Sequence, residues 1–135
     1  MALLTWDDSY SVGVAEINKQ HKRLFDLIND LFDAMKAGNG KGVIEKVIKE
    51  LANYTVYHFG YEEKYFDQFG YSETVAHKKE HKDFVDTVSK FQSEFASGNA
   101  LLSMEVMSFL KKWLQGHIKG TDQHYTEFFH EHGMN

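Results

Sequence analysis

Eight histidines occur in this chain, and five of them stand where a helical core would ordinarily place leucine. His77 and His81 head a series that continues through Phe84, Val88, Phe91 and Phe95 at steps of four, three, four, three and four residues, the period of one buried helix face. His21 precedes Leu24 and Phe25 by three and four residues, His58 follows Tyr54 by four and Leu51 by seven, and His117 follows Trp113 by four. One inward histidine is ordinarily a hydrogen-bonded core residue. Five are a different matter, because burying a polar ring without a partner costs roughly 1–3 kcal/mol and helix interiors leave few free backbone acceptors. A transition metal resolves the conflict, since neutral imidazole is its commonest protein ligand.

Carboxylates extend the set. Glu62 lies four residues after His58, one turn along the same face, whereas Glu63 points off that axis and is the weaker candidate. The chain has no cysteine, which removes thiolate zinc sites, iron–sulfur clusters and thiol catalysis and leaves nitrogen and oxygen as ligands. Five imidazoles with more than one carboxylate exceed what a single ion accepts, so two carboxylate-bridged ions are the natural solution; with a hydroxide bridge the formal charge is about +1, tolerable in a core. Spacing does not locate the second carboxylate. His124, seven residues after His117, falls on nearly the same face, while Asp122, five after, stands about 140° round an ideal helix. Turning Asp122 inward requires a local bulge or unwinding, which Gly116 and Gly120 permit.

The elements that must position these residues follow from the same periodicity. With 135 residues, no proline and ten glycines gathered at a few punctuation points, the chain is expected to form one all-α domain over residues 1–135. Residues 1–16, with Leu3, Leu4, Trp6, Val12 and Val14 in no helical period, are expected to be an extended arm. Residues 17–132 are expected to form the bundle. A first helix runs from about Asn18 to Ala37, with Leu24, Phe25, Ile28, Leu31, Phe32 and Met35 inward, and ends at Gly38, Asn39 and Gly40. A second covers about Lys41 to Phe69 with Val47, Leu51, Tyr54, Tyr65 and Phe69 inward, and a third is capped by Ser72 and ends before Gly98. A fourth starts near Leu101 with Leu102, Val106, Phe109, Leu110 and Trp113 inward, and the tail from Phe128 is expected to fray. Short connections make antiparallel neighbours, hence an up-down-up-down four-helix bundle.

A net charge of −5 with 15 dispersed basic residues offers no stripe for a nucleic-acid backbone. The chain reaches Asp7 and Asp8 without a basic leader, and no run of about 18 apolar residues occurs. The expectation is a cytoplasmic protein with no membrane insertion.

These motifs together resemble the hemerythrins, in particular their bacterial single-domain members, over nearly the whole length. The resemblance rests on Gln20-His21, His58-Phe59-x-x-Glu62-Glu63, Gly70-Tyr71, His77-x-x-x-His81 and Trp113-Leu114-x-x-His117-Ile118-x-x-x-Asp122, with Trp6 and Val12-Gly13-Val14 similar to the family's N-terminal arm. It implies that His77, His81 and His117 bind one iron, that His21 and His58 bind a second, and that Glu62 and Asp122 bridge the two together with an oxo or hydroxo group. It favours Asp122 over His124. It further implies that the two-histidine iron keeps an open position for dioxygen while both irons pass from ferrous (Fe2+) to ferric (Fe3+). Beside the motifs stand Leu24, Phe59, Trp113, Leu114 and Ile118, an apolar set that serves equally as core and as an oxygen pocket. Asn18, where many relatives have an acid, and Phe66, where a methionine is common, are departures that touch no implied ligand.

The function so implied is reversible dioxygen binding for transport, storage or delivery, by a protein that is not an enzyme; no motif names a protein acceptor for the oxygen. The alternative is an oxygen- or redox-sensing module. A ferritin-like di-iron oxidase is disfavoured because only Glu127-Phe128-Phe129-His130 fits its Glu-x-x-His spacing. Zinc remains compatible with the donor atoms on affinity order alone.

Overall fold

The computed structural model describes residues 4–38, 41–96 and 104–135. Four long helices dominate: α1 (Ala15–Lys36), α2 (Lys41–Phe69), α3 (Thr74–Ala96) and α4 (Met104–Gly116), followed by a short α5 (Thr126–Glu131). Among the described residues there is no strand, and no helix is long and apolar enough to cross a membrane. The helix α1 packs on α2, α2 on α3, and α1 on α4. Side chains close the ring between α3 and α4, where Phe84 stacks on Trp113 at 4.3 Å and Phe91 meets Phe109 at 6.2 Å. The result is the antiparallel four-helix bundle that the apolar periods require.

Glycines end two of the helices. Gly38 (φ +69°) follows α1 and donates its N–H to Met35 at 3.1 Å. Gly70 (φ +70°) follows α2, and Tyr71 N–H then reaches back five residues to Phe66 at 3.0 Å, the left-handed termination that a residue with a Cβ adopts only with strain. Asn39, Gly40 and the stretch 97–103, including Gly98, Leu101 and Leu102, lie outside the described residues.

Several expectations need correction. The helix α3 begins at Thr74, two residues later than Ser72, because Thr74 N–H and Oγ1 both bond back to the Tyr71 carbonyl in a turn. Phe109, expected inward, is 37% exposed. On α2 the buried line is Ile48, Leu51, Thr55, His58, Phe59, Glu62 and Phe66, while Val47, Tyr54, Tyr65 and Phe69 are half-buried beside it. The polar members explain the misplacement: a face containing Thr55, His58 and Glu62 has too few apolar residues to stand out as the core side. The tail does not simply fray, since α5 is helical and buries Phe129 completely.

The N-terminal arm is stitched to the rest of the domain. Its chain makes one 3-10 turn (Asp8–Tyr10), buries Leu4, Tyr10, Val12 and Val14, and gives way to α1 at Ala15. Asn29 makes paired bonds to the Leu4 N–H and carbonyl, both 2.8 Å. Asn18 accepts from Val12 N–H at 2.9 Å and donates to Ser11 Oγ, so this departure from the family pattern serves to anchor the arm. Gln123, Thr126 and His130 donate to the Ser11, Val12 and Gly13 carbonyls. Gly13 (φ +72°) allows that contact, because a Cβ there would lie 3.0 Å from the His130 ring. The arm thereby holds the segment that carries Asp122.

Candidate metal centre

Each long helix presents its inward histidine at the same level of the bundle. His21 comes from α1, His58 and Glu62 from one turn of α2, and His77 and His81 from one turn of α3; His117 follows directly on α4. All six are buried, with Glu62 and His21 having no exposure.

Asp122 reaches the same level through a change of helix type. After Gly116 the chain widens into a π-helical turn (His117–Thr121) in which Asp122 N–H bonds to the His117 carbonyl five residues back. A 3-10 turn (Asp122–Tyr125) follows. The wide turn uses one more residue than an α-helical turn, which brings residue 122 back over residue 117 and away from the outward position that an α-helix would give it. Asp122 is fully buried; His124, which the unmodified helix favoured, is exposed.

The ligand-type atoms converge in two overlapping groups. Glu62, His77, His81, His117 and Asp122 offer atoms all within 4.8 Å of one another, and His21, His58 and Glu62 do the same, so Glu62 belongs to both. Asp122 also spans them, with Oδ1 at 2.8 Å from His77 Nε2 and 3.0 Å from His117 Nε2, and Oδ2 at 3.2 Å from His21 Nε2. His81 Nε2 and His117 Nε2 face each other at 3.1 Å. Two nitrogens held about 2.1 Å from one ion at right angles would stand about 3.0 Å apart.

Apart from the His81–His117 pair, proximity here is not hydrogen bonding. The Nε2 atoms of His21, His58 and His77, Glu62 Oε1 and both Asp122 oxygens are buried and find no hydrogen-bond partner despite these short approaches. Buried polar atoms are otherwise almost always satisfied. Imidazole nitrogens and carboxylate oxygens gathered without hydrogen-bond partners are what a bound metal requires, and the donor set fits one.

Electrostatics sharpen the contrast among the histidines. Burial opposes charge on His117, but the nearby Asp122 carboxylate and the hydrogen bond to Glu80 outweigh it, and its pKa is raised to about 10. His21 and His81 are likewise raised against the effect of burial, His21 by Asp122 and Glu62, His81 by Glu62 and Glu63. At His58 burial prevails and the pKa is lowered to about 3, so this ring is neutral at every ordinary pH. Burial and the neighbouring Asp122 push the Glu62 carboxyl up, yet the surrounding imidazoles prevail and hold it below the usual range.

Sequence reasoning missed the residues that orient the ligands. Tyr125, fully buried, donates its hydroxyl to Glu62 Oε2 at 2.5 Å. His58 Nδ1–H donates to Gln20 Oε1 at 2.7 Å, His81 Nδ1–H to Glu63 Oε2 at 3.0 Å, and His117 Nδ1–H to Glu80 Oε1 at 3.2 Å. Gln20 and Glu63 carry a signal, Gln20 beside His21 and Glu63 after Glu62 in the motifs, with Glu63 the weaker carboxylate candidate; Tyr125 and Glu80 lie off every apolar stripe. Of the apolar set, Leu24, Phe59, Leu114 and Ile118 are buried and Trp113 is half-buried. Phe59 lies flat on His81 (3.8 Å, 3°) and Trp113 on His117 (4.5 Å, 15°). Phe66 fits between His77, at 4.7 Å, and Phe129, at 5.6 Å.

Residues 12–129 match the hemerythrin HHE cation binding domain. The chain belongs to the hemerythrin family. Among its relatives, the bacteriohemerythrin of Stenotrophomonas maltophilia (strain R551-3) is 35% identical over 127 residues, covering 94% of this chain and 82% of that protein. The bacteriohemerythrin of Pseudomonas aeruginosa (strain LESB58) is 38% identical over the same shares. A crystal structure of wild-type hemerythrin superposes with a TM-score of 0.89 at 34% identity, over 93% of this chain and 97% of that one. As a hemerythrin, the chain has a buried His, Glu and Asp group suited to a metal, in the span that the family match covers.

Proposed function

We propose that this hemerythrin is a single domain over residues 1–135 that holds two iron ions, joined by an oxo or hydroxo bridge, and binds dioxygen reversibly, as a carrier or store rather than an enzyme. His77, His81 and His117 would hold one ion, His21 and His58 the other, and Glu62 and Asp122 would bridge them. The observation that carries this reading is the pair of ligand groups sharing Glu62, with three histidines on one side and two on the other. The chemistry a bound iron pair supplies is a reversible two-electron exchange with dioxygen.

The protein's part is placement and exclusion. The side with two histidines has fewer donors and so leaves room for a small ligand. Leu24 shares α1 with His21, Leu114 lies in the last turn of α4 and Ile118 follows His117, and their burial supports an apolar wall. Leu24, Leu114 and Ile118 carry no titratable group, so such a wall would exclude water and supply no proton to a bound ligand. Tyr125 holds one Glu62 oxygen and leaves the other free to point inward.

Metal analysis combined with a visible spectrum through repeated cycles of oxygen and argon tests the proposal. Two irons per chain and a band that appears and disappears with oxygen are expected. One tightly bound metal, or zinc in protein supplied with iron, overturns it.

A further inference from the structure

The outer hydrogen bonds divide the centre unevenly. On the three-histidine side, His81 and His117 each donate Nδ1–H to a carboxylate, Glu63 at 3.0 Å and Glu80 at 3.2 Å. On the two-histidine side the one such bond goes to a neutral amide, Gln20 at 2.7 Å; one Nδ1 on each side, that of His21 and that of His77, is buried without a partner, so the asymmetry lies in the two carboxylates. A carboxylate can only accept, so it fixes the proton on Nδ1 and leaves Nε2 as the donor atom. It also pulls that proton toward itself, which makes the ring a stronger electron donor to a metal.

We propose that Glu63 and Glu80 are positioning residues that make the three-histidine side the tighter and the more readily oxidised of the two metal positions, with the neutral Gln20 keeping the other side the weaker. The inference rests on the two-metal reading above. Negative charge passed through two imidazoles favours the more highly charged ion, so ferric gains more than ferrous. Both carboxylates reach the surface: their side chains are 30% and 40% exposed, and a groove between α2 and α3 lined by Gly60, Glu63, Lys78, His81 and Lys82 opens on the first. Water moderates their effect and keeps it within the range known for such partners, roughly 10- to 100-fold in metal affinity.

The test uses the full chain, stripped with a chelator and titrated with cobalt(II), whose visible absorption reports nitrogen and oxygen coordination. Glu63→Gln and Glu80→Gln keep an acceptor for Nδ1–H and remove only the charge. Each is expected to weaken the first cobalt step by about 10- to 100-fold and to leave the second unchanged. Gln20→Glu adds the missing charge and is expected to tighten the second step by a similar factor, while Asp67→Asn, an exposed partner of Lys78, changes neither. In iron-loaded protein at an electrode, the first oxidation should move to higher potential in Glu63→Gln and Glu80→Gln, by about 59 mV for each tenfold by which ferric binding loses more than ferrous. A first step unmoved by both glutamine variants, or both steps weakened equally, overturns the proposal. A titration that ends at one cobalt overturns the two-metal reading instead, and the charge effect of Glu63 and Glu80 is then read on the single step.

Discussion

Removing one oxygen atom from Tyr125 tests whether the metal-facing carboxylates are held by the bundle as described. Tyr125 and Glu62 are both fully buried, and the hydroxyl donates to Glu62 Oε2 at 2.5 Å. In Tyr125→Phe the ring keeps its contacts with Phe129 (4.6 Å), Phe66 (5.7 Å) and His77 (5.8 Å), so the change isolates the hydrogen bond. A bond to a charged group contributes about 1.5–3 kcal/mol, and its loss leaves a carboxylate oxygen buried without water. At roughly 4 °C per kcal/mol for a chain of this size, Tm should fall by about 6–12 °C. Thermal and denaturant unfolding, with metal content held equal, measure it. Tyr57→Phe, at a position 57% exposed, is the control and should stay within about 0.5 kcal/mol. If Tyr125→Phe is no less stable than this control, the hydroxyl is not holding Glu62 and the account of carboxylate placement is wrong.

Three further outcomes are expected. Asp122→Ala should lose metal or reversible oxygen binding while His124→Ala should not, and metal content with oxygen cycling distinguishes them; damage from His124→Ala would mean that the π-helical turn does not govern the site. Leu114→Asn should admit water to the apolar wall and speed irreversible loss of oxygen binding about tenfold, equivalent to about 1.4 kcal/mol in the barrier, whereas Lys111→Asn should not; equal rates in hour-long spectra would reduce Leu114 to packing. Metal uptake by chelator-stripped protein should release protons and tighten as pH rises from 6.5 toward His117's value of about 10, because the raised pKa values of His21, His81 and His117 keep these rings protonated until a metal displaces the proton. Proton release in weakly buffered solution measures this, and an affinity flat across that range refutes it.

Much of the centre was legible before folding, for a physical reason: a helix repeats every 3.6 residues, so a polar residue on an apolar stripe is visible as misplaced. His21, His58, Glu62, His77, His81 and His117 were found that way, and the four-helix bundle with them. The second carboxylate was not; only the family resemblance singled out Asp122. Asp122 lies on the wrong face of an α-helix, and only the i to i+5 hydrogen bond at His117, in a segment tied down by the arm through Gln123 and Thr126, turns it inward. The partners of the ligands were hidden for a related reason. Tyr125, Glu63, Glu80 and Gln20 act across helix boundaries, at sequence separations of 63, 18, 37 and 38 residues from the groups they hold. Periodicity describes one element at a time, and which side chains meet between elements is decided only when the bundle closes.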